Sequence, residues 1–363
     1  MPFSDILLSW YDENARQLPW RGIDNPYYIW LSEIILQQTR IEQGMAYYHH
    51  FVSQYPTVRH LAAASEDQVL KSWQGLGYYS RARNLHKAAK FIVSEYDGVF
   101  PSSYEDILKL SGVGRYTAAA IASFAFRLPY PVIDGNVYRF VARLFGIYTP
   151  IGTDAAYREF ESLLSRLMDR ERPDRFNQAL MDFGSTYCIP FSHSCKPRQT
   201  VLDNCSQCVF RQQCVAFRTQ KVAFLPVKPT PPKIQTRYFY YFHLLWTNDN
   251  VDFTLVRQRT GRDIWKGLYE FPLVESLSPI EDESLTADAA SMIRSFCVAE
   301  WKSVMVSQPF VHKLTHRTIV ARFIDVALSS PPLILNDELK AVSNLELKSL
   351  PISRLMDRYL SSR

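Results

Sequence analysis

The sequence predicts a multidomain chain, an all-α half followed by a small α+β half, and three observations carry that expectation. Apolar residues recur at helical spacing almost without a break up to about Arg218. Two clear cases are Tyr157–Met168 (YREFESLLSRLM) and Ser65–Trp73 (SEDQVLKSW), where Ser65 is placed to cap the helix. Residues 225–233, LPVKPTPPK, then hold four prolines, too many for a helix or a central strand. Beyond them Arg237–Trp246, Phe253–Arg257 and Thr318–Val326 are β-branched and aromatic runs bounded by turn residues, the pattern of strands. The division expected is a helical domain over 1–220, an extended linker over 221–236 and an α+β domain over 237–363. No internal repeat is visible.

Composition sets the bounds. At 363 residues the chain can bury two cores, and 47% hydrophobic with 21% charged residues is the balance of an ordinary soluble protein. A net charge of +5 permits nucleic-acid binding without requiring it. The N-terminal stretch carries Asp5, Asp12 and Glu13 and has no apolar core of a cleavable leader; no apolar run is long enough to span a bilayer. A soluble, intracellular (cytoplasmic) monomer without a membrane partner is the expectation. Five of the six cysteines fall between Cys188 and Cys214, which in a reducing compartment argues for metal rather than disulfides.

Taken in chain order, the first residue with chemical promise is Glu33. At helical spacing its neighbours are Ile29, Trp30, Leu36 and Gln37, none a cation. A carboxyl desolvated among apolar groups titrates high and keeps its proton near neutrality, as a general acid requires. Gln38, in Leu36-Gln37-Gln38-Thr39, and Tyr78, in Gly75-Leu76-Gly77-Tyr78-Tyr79-Ser80-Arg81-Ala82-Arg83, are candidates to wedge into a base step. Arg81 and Arg83 are expected at flanking phosphates. Leu110-Ser111-Gly112-Val113-Gly114 is a Gly-x-Gly turn between two helical patterns. It directs backbone N–H groups of a helix N-terminus outward, where the partial positive charge suits a phosphate that glycine allows to come close. Past the Pro129–Pro131 break, Asp134 lies at the mouth of the next helix, a carboxylate or simply an N-cap. Cys205-x2-Cys208-x5-Cys214 with a distal cysteine offers four thiolates but one C-x2-C pair; a 4Fe–4S cluster suits this better than structural zinc, which remains open.

Together these residues resemble the MutY adenine DNA glycosylase family of the helix-hairpin-helix, iron–sulfur superfamily. The resemblance rests on Leu18-Pro19-Trp20-Arg21, Trp30–Glu33 with Leu36–Thr39, Gly75–Arg83, the hairpin near 108–122, Asp134-Gly135-Asn136-Val137 and Phe176–Gly184 before Cys188. It implies an all-α helix-hairpin-helix glycosylase domain with an iron–sulfur loop over 188–214, then a small α+β Nudix-like domain. It implies base flipping and hydrolysis of the N-glycosidic bond of adenine opposite 8-oxoguanine or guanine in double-stranded DNA. By resemblance Glu33 protonates adenine and Asp134 stabilises the sugar cation. Tyr116 would hydrogen-bond that aspartate, Asn136 would orient the site and Arg21 would line the adenine pocket. Gln38, Thr39, Tyr78, Gly112 and Gly114 would meet DNA. The family spaces its cluster C-x6-C-x2-C-x5-C, whereas here Cys188-x6-Cys195 is followed by an insertion. Either Cys195 or Cys205 is then the second ligand; Cys188, Cys205, Cys208 and Cys214 are taken as the set because the local spacing of the last three is intact, leaving Cys195 spare.

In the second half Arg257-Gln258-Arg259 and Gly267-Leu268-Tyr269-Glu270-Phe271-Pro272 resemble the family's Nudix-like domain. The R-E-x-x-E-E metal helix of an active pyrophosphatase is missing; Glu275, Glu281, Asp282 and Glu283 are only scattered acids. His312-Lys313-Leu314-Thr315-His316 aligns with the family's Phe-Ser-His lesion-reading loop, so Leu314, Thr315 and His316 are expected to meet 8-oxoguanine. Two other functions fit part of the pattern. An endonuclease III-like glycosylase/lyase needs an amine where this chain has Tyr116, and a non-catalytic iron–sulfur DNA-binding protein leaves the desolvated Glu33 without a purpose.

Overall fold

The computed structural model describes residues 2–191, 198–230, 234–281, 285 and 289–363. The chain forms two compact units: one takes residues 1–62 and 87–230, the other 63–86 and 231–363. The compact units therefore do not follow the chain order of the expected division, because residues 63–86 of the helical half belong with the second unit.

The first unit is helical. Its elements are α1 (Phe3–Asn14), α2 (Pro26–Leu36), α3 (Ile41–Gln54), α4 (Val58–Ala63), the later part of α6 (Ser80–Glu95), α7 (Tyr104–Leu108), α8 (Arg115–Phe126), α9 (Gly135–Phe145), α10 (Asp154–Leu167), α11 (Pro173–Asp182), α12 (Arg198–Ser206) and α13 (Val215–Arg218). Caps written in the sequence start several of them: Asn25 on α2, Ser103 on α7, Asp134 on α9 and Thr153 on α10 each accept a backbone N–H of the first turn. Gly146 closes α9 in the left-handed conformation. α8 is rich in alanine and buried from Thr117 to Ser123, which lets it lie at the middle of the unit against α2, α7 and α11. Phe3, Phe140, Phe176, Phe183 and Phe210 interlock in the main core. Directly after α11 the chain makes one π-helical turn, Phe183–Tyr187. The stretch expected to be an extended linker begins packed instead: Val222 and Leu225 are buried against Ile189, Val201 and Ala216. Their apolar side chains gain more from that burial than from exposure.

The second unit carries, among its described residues, an eight-stranded mixed sheet of path β10–β2–β1–β8–β6. Its strands are β1 (Gln235–Asn248), β2 (Val251–Gln258), β3 (Tyr269–Glu270), β4 (Leu273–Ser276), β6 (Trp301–Val306), β7 (Phe310–Lys313), β8 (Arg317–Leu328) and β10 (Leu339–Ser343); β5 (Cys297–Val298) pairs apart with β9 (Leu333–Ile334). β1 runs parallel to β8 with Tyr241 opposite Phe323, and antiparallel to β2. It is buried on both faces, which is why its sequence RYFYYFHLLW shows no polar alternation. Phe239 and Tyr241 point to one core, shared with Phe323, Leu355 and Tyr359; Tyr240, Phe242 and Leu244 point to the other, shared with Ile293 and Ile324. The covering helices are α14 (Ala289–Arg294), α15 (Asn344–Ser349) and α16 (Arg354–Leu360).

α5 (Glu66–Ser72), begun by a Ser65–Gln68 capping box, is fastened to this unit. Lys71 Nζ donates to the carbonyls of Lys348 (2.5 Å) and Leu350 (3.1 Å). Asp67 accepts from Gln258 (3.2 Å) and from the Tyr269 hydroxyl (3.1 Å), and the Tyr79 hydroxyl donates to Ile352 O (3.2 Å).

Candidate active site

Three helices of the first unit bring the two carboxyls together. α2 is apolar on nearly every side, so Glu33 is carried into the interior beside Ile29, Trp30 and Ile34 and is only 7% exposed. Burial pushes its carboxyl up to about 7. A hydrogen bond from Tyr116 opposes that rise, nearby Asp134 adds to it, and Arg21 subtracts a little. Tyr116 stands in the first turn of α8, and its own hydroxyl is pushed far above the ordinary tyrosine value by burial and by the two carboxyls, so it stays a donor. Tyr116 feels both carboxyls, and it is to Glu33 that its hydroxyl donates. Asp134 is already supplied by its own helix.

As the N-cap of α9, Asp134 accepts from Asn136 N (2.9 Å) and Val137 N (2.7 Å) through Oδ1, and from Asn136 Nδ2 (2.7 Å) through Oδ2. Burial raises this carboxyl, while those three donors and Arg139 pull it back toward the anion. The net direction is upward, and these donors keep the rise smaller than burial alone would make it. Asn136 is locked in turn: its Oδ1 accepts from Arg139 Nη2 (2.8 Å), and Arg139 Nε donates to Cys188 O (2.8 Å). Gly184, in the π-helical turn, presses on the same point. A Cβ there would lie 2.6 Å from the Asn136 carbonyl oxygen, so only glycine fits.

Arg21 is near Glu33 but committed elsewhere. Its guanidinium grips Asp182 through Nη1–Oδ2 (2.5 Å) and Nη2–Oδ1 (2.6 Å), and Asp182, fully buried, also holds Arg16. Paired with two guanidiniums, Asp182 is held below the usual carboxylate range despite its burial. Asp182, Arg139, Arg143 and Gly184 are the residues that sequence reasoning missed. Asp182 and Gly184 stood in the quoted Phe176–Gly184 motif, which was their available signal.

The hairpin is built as the Gly-x-Gly turn required. Gly112 is left-handed (φ 79°), and Gly114 precedes α8 with no side-chain cap on that helix. A Cβ at Gly114 would meet nothing within 4 Å, so the space over this helix N-terminus is open. Beside it, Gln37 Nε2 donates to Thr117 Oγ1 (3.2 Å), tying the end of α2 to the first turns of α8. The next residue, Gln38, is exposed and left-handed at φ 54°, an unusual state for a side chain larger than glycine; Thr39 follows it.

Cys188, Cys205, Cys208 and Cys214 carry free thiols and line one cavity with Arg143, Phe140, Phe183 and Phe210. The cavity leaves about 420 Å³ unfilled by protein atoms, part of it open to solvent. Burial pushes Cys205 up to about 11 and Cys208 up to about 12, and the neighbouring thiols of Cys188 and Cys214 add to both. Gathering four thiolates there requires cationic charge. Among the described residues no three metal-ligating side chains converge on a single-ion site. The soft, four-sulfur donor set spread round an apolar cavity fits a group of several metal atoms. Arg143 donates to Ile189 O (2.8 Å), to Leu225 O (3.0 Å) and, at 3.5 Å, to Cys188 Sγ. Cys195 lies outside the described residues.

In the second unit the expected reading loop is the tight turn between β7 and β8, closed by Leu314 N to Arg317 O (2.8 Å). Thr315 and His316 are exposed there, whereas Leu314 turns inward and packs on the core of Phe239 and Phe323, so it offers no face for stacking. The Tyr78 hydroxyl meets Thr315 Oγ1 at 2.6 Å. Tyr78 is 47% exposed and left-handed (φ 48°). Of the arginines of its turn, Arg81 is buried, its guanidinium over the rings of Trp73 (5.0 Å) and Tyr78 (5.7 Å), and the half-buried Arg83 donates from Nη1 to Lys266 O (2.5 Å). Several acids of this unit serve arginines. Glu270 is clamped by Arg257 and Arg259, and Glu275 by Arg237 and Arg259.

Comparison with known proteins agrees with this geometry. Residues 31–166 match the HhH-GPD superfamily of base excision DNA repair proteins, and residues 242–362 match the NUDIX domain. The adenine DNA glycosylase of Buchnera aphidicola subsp. Baizongia pistaciae is 32% identical over 330 residues, covering 87% of this chain and 84% of that protein. The human adenine DNA glycosylase is 40% identical over 223 residues, 59% of this chain and 39% of that one. The structure of a thermostable thymine-DNA glycosylase superposes with a TM-score of 0.53 at 27% identity, over 60% of this chain and 95% of its own. With its helix-hairpin-helix half, its Nudix-like half and this similarity along most of its length, the chain belongs to the MutY adenine DNA glycosylase family, DNA N-glycosylases of base excision repair.

Proposed function

We propose that this glycosylase releases adenine mispaired with 8-oxoguanine or guanine, as a monofunctional enzyme and a monomer, with Glu33 as general acid and Asp134 as the anion facing the sugar. The observation that carries the proposal is the unlike treatment of two neighbouring carboxyls: Glu33 is desolvated toward a pKa of about 7 beside a hydroxyl, while Asp134 receives three N–H donors. Environments that drive two acids apart are how a site assigns donor and anion.

Glu33 gives its proton to the purine as the N-glycosidic bond breaks, which makes adenine a better leaving group. Tyr116 holds the Glu33 carboxyl in place. Asp134, fixed by Asn136 and Val137, faces the oxocarbenium-like sugar and stabilises its charge. A tyrosine hydroxyl cannot form the Schiff base of a lyase, so strand cleavage does not follow. Arg21, by gripping Asp182, fixes the wall of the pocket near Glu33. The open N-terminus of α8 at Gly112 and Gly114 takes a DNA phosphate, and Gln38, Thr39 and Tyr78 meet the strands around the flipped base. Thr315 and His316 read the opposite base. Cys188, Cys205, Cys208 and Cys214 hold a 4Fe–4S cluster, which when bound supplies a cationic anchor for the 188–214 loop and hence for the Arg139–Asn136 contacts.

The test is single-turnover adenine release from 8-oxoguanine·A and G·A duplexes, with and without alkali treatment of the product. Release with strand breaks only after alkali, faster on the 8-oxoguanine duplex, is expected. Breaks without alkali, or a product trapped by borohydride, would contradict the monofunctional chemistry. Equal rates on the two duplexes would remove the lesion-reading role.

A further inference from the structure

Two consecutive residues of α8 hold the end of α2 at two points. Tyr116 bonds to Glu33, and Thr117 Oγ1 accepts from Gln37 Nε2 at 3.2 Å. Glu33 and Gln37 stand one helical turn apart, on the side of α2 that meets α8. Gln37 ends α2 with an extended ψ of 117°, and Gln38 follows it, exposed and left-handed at φ 54°. The base of this turn is fastened as well. Thr39 donates from N to Leu36 O (3.1 Å) and from Oγ1 to Gln37 O (3.3 Å). α3 closes on Leu36 because Gly44 has no side chain: a Cβ there would lie 2.6 Å from Leu36 Cδ2. A left-handed backbone is uphill for a residue with a Cβ and persists where its flanks are fixed. Thr117 is such a flank, only 2% exposed, so its hydroxyl cannot swing out to water.

We propose that Thr117 is a positioning residue for base flipping: through Gln37 it holds the left-handed turn at Gln38 ready before DNA arrives, so that one turn of α8 sets both the general acid and the wedge. The proposal rests on the strand-contacting role given to Gln38 above. Flipping a base costs its stacking and pairing at the moment the wedge enters. A turn that must be ordered at that moment adds its own conformational loss, and a turn already ordered does not. Without the Thr117 oxygen, the half-buried Gln37 amide loses an acceptor and turns to find another, carrying the adjoining backbone with it. The two bonds divide the work. Tyr116 acts on the proton of Glu33, and Thr117 acts on the shape of the turn. The helix that carries both begins at the open N-terminus by Gly114 proposed for a phosphate, so grip, acid and wedge are mounted on one rigid element.

The experiment uses the full-length protein and an 8-oxoguanine·A duplex with 2-aminopurine beside the target adenine, whose stopped-flow fluorescence reports unstacking while quenched samples report adenine release. Thr117→Val keeps the branched shape and removes the acceptor. It is expected to slow both the fluorescence rise and the release by the same factor, roughly three- to tenfold, with the midpoint of the pH profile unmoved. Thr117→Ser restores most of both. Gln37→Met removes the donor at a half-buried position and gives the same loss, which keeps the test open should Thr117→Val not fold. The double variant Thr117→Val/Gln37→Met falls no further than either single one. A native fluorescence rise in Thr117→Val would overturn the proposal, as would a shifted pH midpoint with flipping intact, which would place Thr117 on the acid instead. Losses that multiply in the double variant would overturn the pairing. A Gln38→Ala variant that flips the base as the native protein does would remove the role of Gln38 itself, and this proposal with it.

Discussion

Two buried glutamates, one in each unit, show what burial alone does and does not decide. Glu33 in the first unit and Glu270 in the second are 7% and 2% exposed, and burial pushes both carboxyls upward. Glu270 is answered by two guanidiniums, Arg257 at 3.0 Å and Arg259 at 2.9 Å, and by the Tyr241 hydroxyl at 3.1 Å. Glu33 receives a tyrosine hydroxyl and only the field of an arginine already spent on Asp182. The first pattern makes an ion pair that holds a fold together; the second leaves a carboxyl that prefers its proton. The partner, not the depth, turns a buried acid into a catalytic one.

The largest effect should come from breaking the Glu33 side of this comparison. Glu33→Gln keeps the shape and removes the proton donor, so adenine release should fall by about a thousandfold or more, measured in single turnover. Its stability should move the other way. The unfolded carboxyl ionises near 4.5 and the folded one near 7, so folding is penalised increasingly as pH rises between those values and fully above them. At pH 8 the variant should therefore be more stable than the native protein by ~2–3 kcal/mol in denaturant unfolding; lower stability would show that Glu33 is a structural anion.

Glu270→Gln should do the reverse, leaving Arg257 and Arg259 without a buried counter-charge. The expected loss is ~3 kcal/mol of stability in the second unit with adenine chemistry retained, read from urea unfolding beside single-turnover release. Gly184→Ala should fall between the two. Its Cβ would strike Asn136, which fixes Asp134, so release should drop roughly a hundredfold with modest destabilisation. The smallest effect is expected of Tyr116→Phe. The Tyr116 bond lowers the Glu33 pKa, so its loss should shift the alkaline limb of the rate profile to higher pH by up to about one unit while the plateau rate falls modestly. A downward shift would contradict the bond to Glu33.

What could be seen in the sequence was whatever depends on near neighbours. The apolar run around Glu33 announced its burial, Asp134-Gly135-Asn136 announced an N-cap, Ser65 announced its helix, and the aromatic run 237–246 announced a strand covered on both faces. What could not be seen was which distant group each polar atom would find. The Arg21–Asp182 pair joins residues 161 positions apart, and no local pattern in the sequence points to it. Tyr116 reaches Glu33 across the packing of α8 on α2, while Asp134 is supplied by the backbone of its own helix. Residues 63–86 joined the second unit through bonds such as Lys71 to Leu350, and Leu314 packs on the core of Phe239 and Phe323.

The most direct test of the central claim is the pH dependence of single-turnover adenine release from an 8-oxoguanine·A duplex between pH 5.5 and 9. A neutral Glu33 acting as proton donor predicts a rate that declines above an apparent pKa near 7, as the carboxyl loses its proton. A rate that stays level to pH 9, or rises through that range, would contradict it.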